Sequence, residues 1–99
     1  MRLIFRPQAS AELLAAQAWY EERSPGLGLE FARAVDAAVT RALRTPLAYP
    51  RIEAEFRHVI TRRFPYSIIY HVTDADLVVL SCFHHRRQPG SWAPRQPKG

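Results

Sequence analysis

A change of period near residue 56 constrains this chain more than any other feature. Before it, apolar residues recur at three- and four-residue steps, the spacing of helices that lie on something. After it, Val, Ile, Tyr and Phe fill short runs punctuated by Pro65, Asp74 and Asp76, which reads as three β-strands joined by two short turns. A chain of 99 residues has room for one two-layer core. The helical half must therefore cover the sheet. The expected fold is α+β, in the order β-α-α-β-β-β: an antiparallel sheet with a two-helix hairpin packed on one face.

The chain in order supplies the elements. Arg2 to Phe5 reads as a first strand added to that sheet. Pro7 suits the first turn of a helix, where its missing N–H costs nothing. From Gln8 to Arg23, Ala9, Leu13, Ala16 and Tyr20 recur at helical spacing. Ser24-Pro25-Gly26-Leu27-Gly28 breaks the pattern. A second helix from Leu27 to Arg44 carries Phe31, Val35, Ala38, Val39 and Ala42 on one face, and Thr45-Pro46 stops it. Residues 47–52 form an apolar, proline-rich connector, ended by Glu53 and Glu55. In the strands, Ile68, Tyr70 and Val72 share one face. So do Val78, Leu80 and Cys82, while Leu77, Val79 and Phe83 are apolar on the other, which marks the last strand as central and covered on both sides. Leu13, Tyr20, Phe31, Val35, Val39, Ile68, Tyr70, Val78 and Leu80 are expected in the core. Residues 1–92 are expected to form a single domain, and residues 93–99, with Pro94, Pro97 and Gly99, a flexible tail.

Composition then excludes several classes. No apolar run approaches membrane-spanning length, and the short patch before Pro7 is too brief for a signal peptide, so no membrane partner is expected. The single cysteine, Cys82, cannot form an internal disulfide, and a reducing cytoplasm fits best. There is no His-Glu-x-x-His motif, no Cys/His ligand spacing and no glycine-rich phosphate loop, so no metal or cofactor is expected. The net charge is +5, unevenly spread. Residues 1–50 carry six Arg against five acids; residues 51–99 carry seven Arg and one Lys against four, and no acid follows Asp76. Such a half suits a polyanionic or acidic partner, and arginine holds phosphate and carboxylate in a bidentate fork. An Arg- and Ala-rich composition is also what a coding bias alone would produce.

The charge concentrates in Arg57, Arg62, Arg63, His84, His85, Arg86 and Arg87. Arg62 and Arg63 fall near one turn; the His-His-Arg-Arg run falls at the exit of the last strand, where a rigid scaffold presents mobile groups. A solvated rim of charge is the bland alternative. His84 and His85 could supply acid and base for phosphodiester cleavage, with arginine for the transition-state charge. Neighbouring strand positions point to opposite faces, however, so at most one of the two would enter a site. Trp92 suits a hydrophobic clasp better than a base-stacking platform.

The element order resembles the RelE/ParE superfamily of toxins from type II toxin–antitoxin (plasmid stabilisation) systems. The resemblance covers residues 2–92. It rests on Phe64-Pro65-Tyr66-Ser67-Ile68-Ile69-Tyr70, on Arg57 at a strand start, and on His84-His85-Arg86-Arg87-Gln88-Pro89 closing with Trp92. It implies a cognate antitoxin, hetero-oligomer formation, and growth inhibition through DNA gyrase or through ribosome-bound mRNA. Compared with the mRNA-cleaving branch, the arginine after the fourth strand matches Arg86. That branch's third-strand arginine falls on Ser67, its second-strand lysines on His58 and Ile60, and its C-terminal tyrosine on Trp92. The resemblance therefore implies a ParE-like binding toxin, which would be no enzyme. The alternatives are a RelE-like endoribonuclease using Arg86, His84 and His58, and an inactive relic. Arg57, Arg62, Arg63, His85, Arg87, Tyr66 and Trp92 are the expected contacts to antitoxin or target, with Tyr49, Phe64, Tyr66 and Trp92 as apolar anchors beside the charge.

Overall fold

The computed structural model describes residues 1–86. In chain order it contains β1 (Arg2–Phe5), α1 (Pro7–Arg23), α2 (Leu27–Arg44), β2 (Arg51–Glu53), β3 (Phe56–Ile60), β4 (Tyr66–Val72) and β5 (Asp76–His84). The strands form one sheet in the order β1-β5-β4-β3-β2. β3, β4 and β5 make the expected antiparallel meander. The α+β class and the element order stand as read from the period, with two additions. β1 joins β5 in parallel, from Arg2 opposite Asp76 to Phe5 opposite Val79, so the sheet is mixed. β2 lies within the stretch that reads as a connector. Its three residues are all exposed and its pairing with β3 is irregular, so it carries no alternation to recognise. The expected tail, residues 93–99, lies outside the described residues.

Local chemistry explains the hairpin of helices. Pro7 opens α1. Gly26 takes φ 89°, a left-handed conformation that costs glycine nothing, and turns the chain into α2. The exposed N–H groups at the start of α2 are satisfied by the preceding helix: the Glu21 carboxylate accepts from Gly26 N at 3.1 Å and from Gly28 N at 3.0 Å.

Gly28 sits where α1 and α2 approach. A Cβ there would lie 2.7 Å from the Gln17 carbonyl oxygen and 3.0 Å from Glu21 Cβ. Gly→Ala inside a helix ordinarily stabilises by up to about 1 kcal/mol. Gly28→Ala is expected to do the opposite, costing about 1–3 kcal/mol in urea denaturation, because a backbone carbonyl cannot step aside as a side chain can.

Phe31, Val35, Ala38, Val39 and Ala42 of α2 meet Ala9 and Ala16 of α1 over Val59, Ile68, Tyr70, Leu77, Val79 and Cys82 of the sheet. Leu13 and Tyr20 pack against this cluster half-buried, and Val78 and Leu80 are buried outside it. An aromatic group closes one end. The Phe31 ring stands 5.2 Å from Tyr20, 5.3 Å from Phe64 and 5.0 Å from Tyr66, measured between centroids. Burial pushes the Tyr70 phenol up to about 12, and its hydroxyl donates to Pro46 O at 2.7 Å.

Strict alternation puts Val78, Leu80 and Cys82 on one face of β5; the strand departs from it. A bulge intervenes, since Tyr70 faces Val79 but Ile69 faces Ser81. Leu77, Val79 and Cys82 therefore join the core beneath the helices. The disrupted ladder finds a partner on α1. The Glu12 carboxylate accepts from Cys82 N at 3.1 Å and from Ser81 Oγ at 2.8 Å.

Candidate functional site

The pleat of β4 and the bulge of β5 decide where the candidate residues go. Tyr66, Ile68 and Tyr70 face the helices, so their partners do too. His84, opposite Tyr66, lies on the helix side, 5.0 Å from the Tyr66 ring. It lines a cleft of about 330 Å³ with Glu12, Ala15, Ala16, Trp19 and Tyr20. Its Nδ1 accepts the Arg86 backbone N–H at 2.9 Å, which fastens the turn after β5. Tyr66, though buried, also lines this cleft.

His58 and His85 lie on the other face. His58 sits opposite Ile69 on β3. His85 Nε2 stands 3.0 Å from Ser67 Oγ, and the His85 N–H donates to Pro65 O at 2.9 Å. Burial holds the His58 imidazole below its usual range, and the charge of His85 adds to that. The sheet thus stands between His84 and His58. These two side chains cannot serve one phosphate as acid and base, and adjacency in the sequence gave no hint that His85, not His84, shares the face of His58.

His58 also makes a pH dependence. Its depressed folded-state pKa means that the unfolded chain, with a value near 6.5, binds the proton more readily. Stability present above about pH 6.5 is therefore lost as pH falls below that value, until the folded form is protonated as well. The urea midpoint should drop between pH 7.5 and 5.5, and His58→Gln should drop less over the same interval.

The arginines separate by role. Arg57 Nη1 donates to Tyr49 O at 2.7 Å and pins the connector to the sheet, as a structural residue would. Arg62 and Arg63 occupy the β3–β4 turn, which Thr61 ties through Oγ1 to Phe64 O at 2.7 Å. Arg63 takes φ 71° there, and its Nη2 lies 3.3 Å from Glu30 Oε1. Arg33 of α2 joins them around a groove of about 300 Å³, an association that sequence spacing could not show. Arg86 is exposed. Arg87 and Trp92 lie outside the described residues.

The expected apolar anchors need correction. Phe64 and Tyr66 are buried in the aromatic group and cannot grip a partner beside the arginines. The bare apolar surface is elsewhere. On the outer side of α1, Ala11, Ala15 and Ala18 are exposed, flanked by Leu14 at 64% and Trp19 at 51% exposure. Arg23 lies over the Trp19 ring at 3.7 Å, and the ring's neighbour is Tyr20 at 5.1 Å. The signal was present in the sequence: Leu14 and Trp19 fall off the stripe of Leu13, Ala16 and Tyr20.

Among the described residues, no three His, Cys, Asp or Glu side chains cluster as a metal site would require. No helix there is long and apolar enough to cross a membrane.

Comparison with known proteins agrees with this architecture. No curated protein sequence matches the chain. A solved structure described as the chromosomal ParDE TA system from P. aeruginosa superposes with a TM-score of 0.75 at 19% identity, covering 85% of this chain and 95% of that one. At that identity the likeness speaks for the fold. The family model for the ParE toxin of the type II toxin-antitoxin system, parDE, matches residues 3–89, nearly the whole of the five-stranded sheet and its helical cover, and so the chain belongs to the ParE family of type II toxins.

Proposed function

We propose that this toxin arrests growth by binding a cellular machine, DNA gyrase foremost, and that a cognate antitoxin neutralises it by laying an apolar helix along the outer side of α1. The observation that carries the antitoxin half is the bare surface of α1. Alanines permit close approach of a second helix, and Leu14 and Trp19 stand as walls on either side. The antitoxin and the toxin would then form a hetero-oligomer in which that surface is covered.

Binding rather than cleavage is favoured by the distribution of the histidines. The ribosome-dependent nuclease reading needs Arg86, His84 and His58 around one phosphate, and His84 and His58 are on opposite faces of the sheet. Ser67, which stands where that branch has an arginine, is buried against His85.

Induction of the toxin in a host, with plasmid supercoiling and mapped mRNA ends read in parallel, tests the proposal. Loss of supercoiling with intact messages is the expected result. Ribosome-phased message cleavage that disappears in Arg86→Ala would replace gyrase by mRNA as the target. Normal growth on induction would leave a fold without activity.

A further inference from the structure

Helix α2 carries a row of cations on its solvent side. Arg33, Arg41 and Arg44 project there, and the β3–β4 turn brings Arg62 and Arg63 beside Arg33. Two of the five guanidiniums are engaged: Arg41 Nη2 donates to Ile60 O at 2.8 Å, and Arg63 faces Glu30 at 3.3 Å. Arg33, Arg44 and Arg62 are exposed and have neither hydrogen bond nor ion pair among the described residues. Against the five stand only Glu30 and Asp36 on the same helix. The α2–turn packing brings like charges together, and nothing within the described chain pairs with three of them.

We infer that this ridge binds the phosphodiester backbone of duplex DNA without reading its sequence. Eleven residues of helix separate Arg33 from Arg44, about 16 Å at 1.5 Å per residue. At about 3.4 Å of duplex axis per base pair, that length spans about five base pairs of the phosphate backbone. The side chains are all arginine, whose planar fork accepts two phosphate oxygens at once. An acidic protein segment is the other polyanion to consider. Stable protein contacts need apolar or aromatic anchors at their centre; beside the ridge stand only Leu29, one turn before Arg33, and Ile60, each half exposed, with no exposed aromatic ring next to them among the described residues. Phe64, at the floor of the groove, is buried, and Ala34 is half-buried. The exposed aromatic anchor, Trp19, is on α1 instead. A phosphate backbone asks only for charge at suitable spacing. The inference stands on the ridge itself, whichever machine the toxin stops; a toxin that met its target on DNA would gain a second hold from it.

Fluorescence anisotropy of the purified toxin with two labelled 20-base-pair duplexes of unrelated sequence tests this between 50 and 200 mM salt. Equal affinity for both duplexes is expected, falling with salt at a slope of about −3 in log–log form for the three free guanidiniums. Arg33→Glu with Arg62→Glu should weaken binding at least tenfold at 50 mM salt and flatten the slope by about 2. Arg6→Glu with Arg51→Glu makes the same change in net charge away from the ridge and should have little effect; far-UV circular dichroism checks that each variant is folded. Failure of the toxin to bind either duplex at 50 mM salt would overturn the inference. So would an equal loss in the Arg6/Arg51 variant, which would reduce the effect to net charge. Tighter binding of a poly-glutamate peptide at the ridge than of the duplex would overturn it too, and give the ridge to an acidic protein.

Discussion

Phe31→Ala should lower stability by about 3–5 kcal/mol, the range for truncating a fully buried phenylalanine. Phe31 is 0% exposed and lies at the meeting point of both helices and the sheet. Three aromatic rings surround it at centroid distances of 5.0–5.3 Å, two of them edge-on, from α1, from the β3–β4 turn and from β4. Those neighbours are held from behind: Phe64 by the Thr61 hydrogen bond to its carbonyl, Tyr66 by its place in a paired strand. They cannot close over the space a ring leaves, so the cavity term adds to the lost transfer energy. A domain of this size has about 5–15 kcal/mol in total, so the loss is a large fraction of the whole. Urea denaturation followed by near-ultraviolet circular dichroism measures the loss. Phe31→Leu should recover most of it, and Leu14→Ala on the outer side of α1 should stay within about 0.5 kcal/mol of the parent. A loss below about 1 kcal/mol for Phe31→Ala would mean that the aromatic group repacks around the gap.

Leu14→Glu combined with Trp19→Glu should weaken the complex with the cognate antitoxin by about a thousandfold. Central hot spots cost about 2 kcal/mol or more each, and each 1.4 kcal/mol is a factor of ten. Trp19 has the properties of such an anchor. It is half exposed, yet its ring is oriented beforehand by Arg23 at 3.7 Å and by the edge of Tyr20, so little side-chain freedom remains to be lost on binding. The two glutamates would put charge against the apolar face of a docking helix without disturbing the core, since both positions point away from it. The effect should fall on the dissociation rate. Salt, by contrast, should act on association, through the cationic surface as a whole. Biolayer interferometry at several salt concentrations separates the two rates. An unchanged dissociation rate in the double variant would move the antitoxin off α1, and the α1 surface would then need another occupant.

These expectations draw on different amounts of sequence. Helix α2 could be read from the sequence to its ends, Leu27 and Arg44, because helical period, the Gly-rich entry and the Thr45-Pro46 stop are all local. Phe31, Val35, Val39, Ile68 and Tyr70 could be named as core for the same reason: a side chain's face follows from its position within its own element. The resemblance to the toxin superfamily was legible too, since strand motif and strand-exit motif are contiguous. Everything that required two elements to meet had to wait for the tertiary structure. The bulge in β5 depends on how β4 pairs with it and on Glu12, some seventy residues away, and it sends Val79 rather than Leu80 into the core. That same pairing puts His84 under α1 and His85 on the face of His58, which separates His84 from His58, the two histidines the nuclease alternative would need together. The gathering of Arg33 with Arg62 and Arg63 across the α2–turn groove is likewise invisible along the chain. Periodicity is a property of a single element and survives in one dimension. Register, and with it the company each side chain keeps, is settled only when strands and helices compete for the same buried surface.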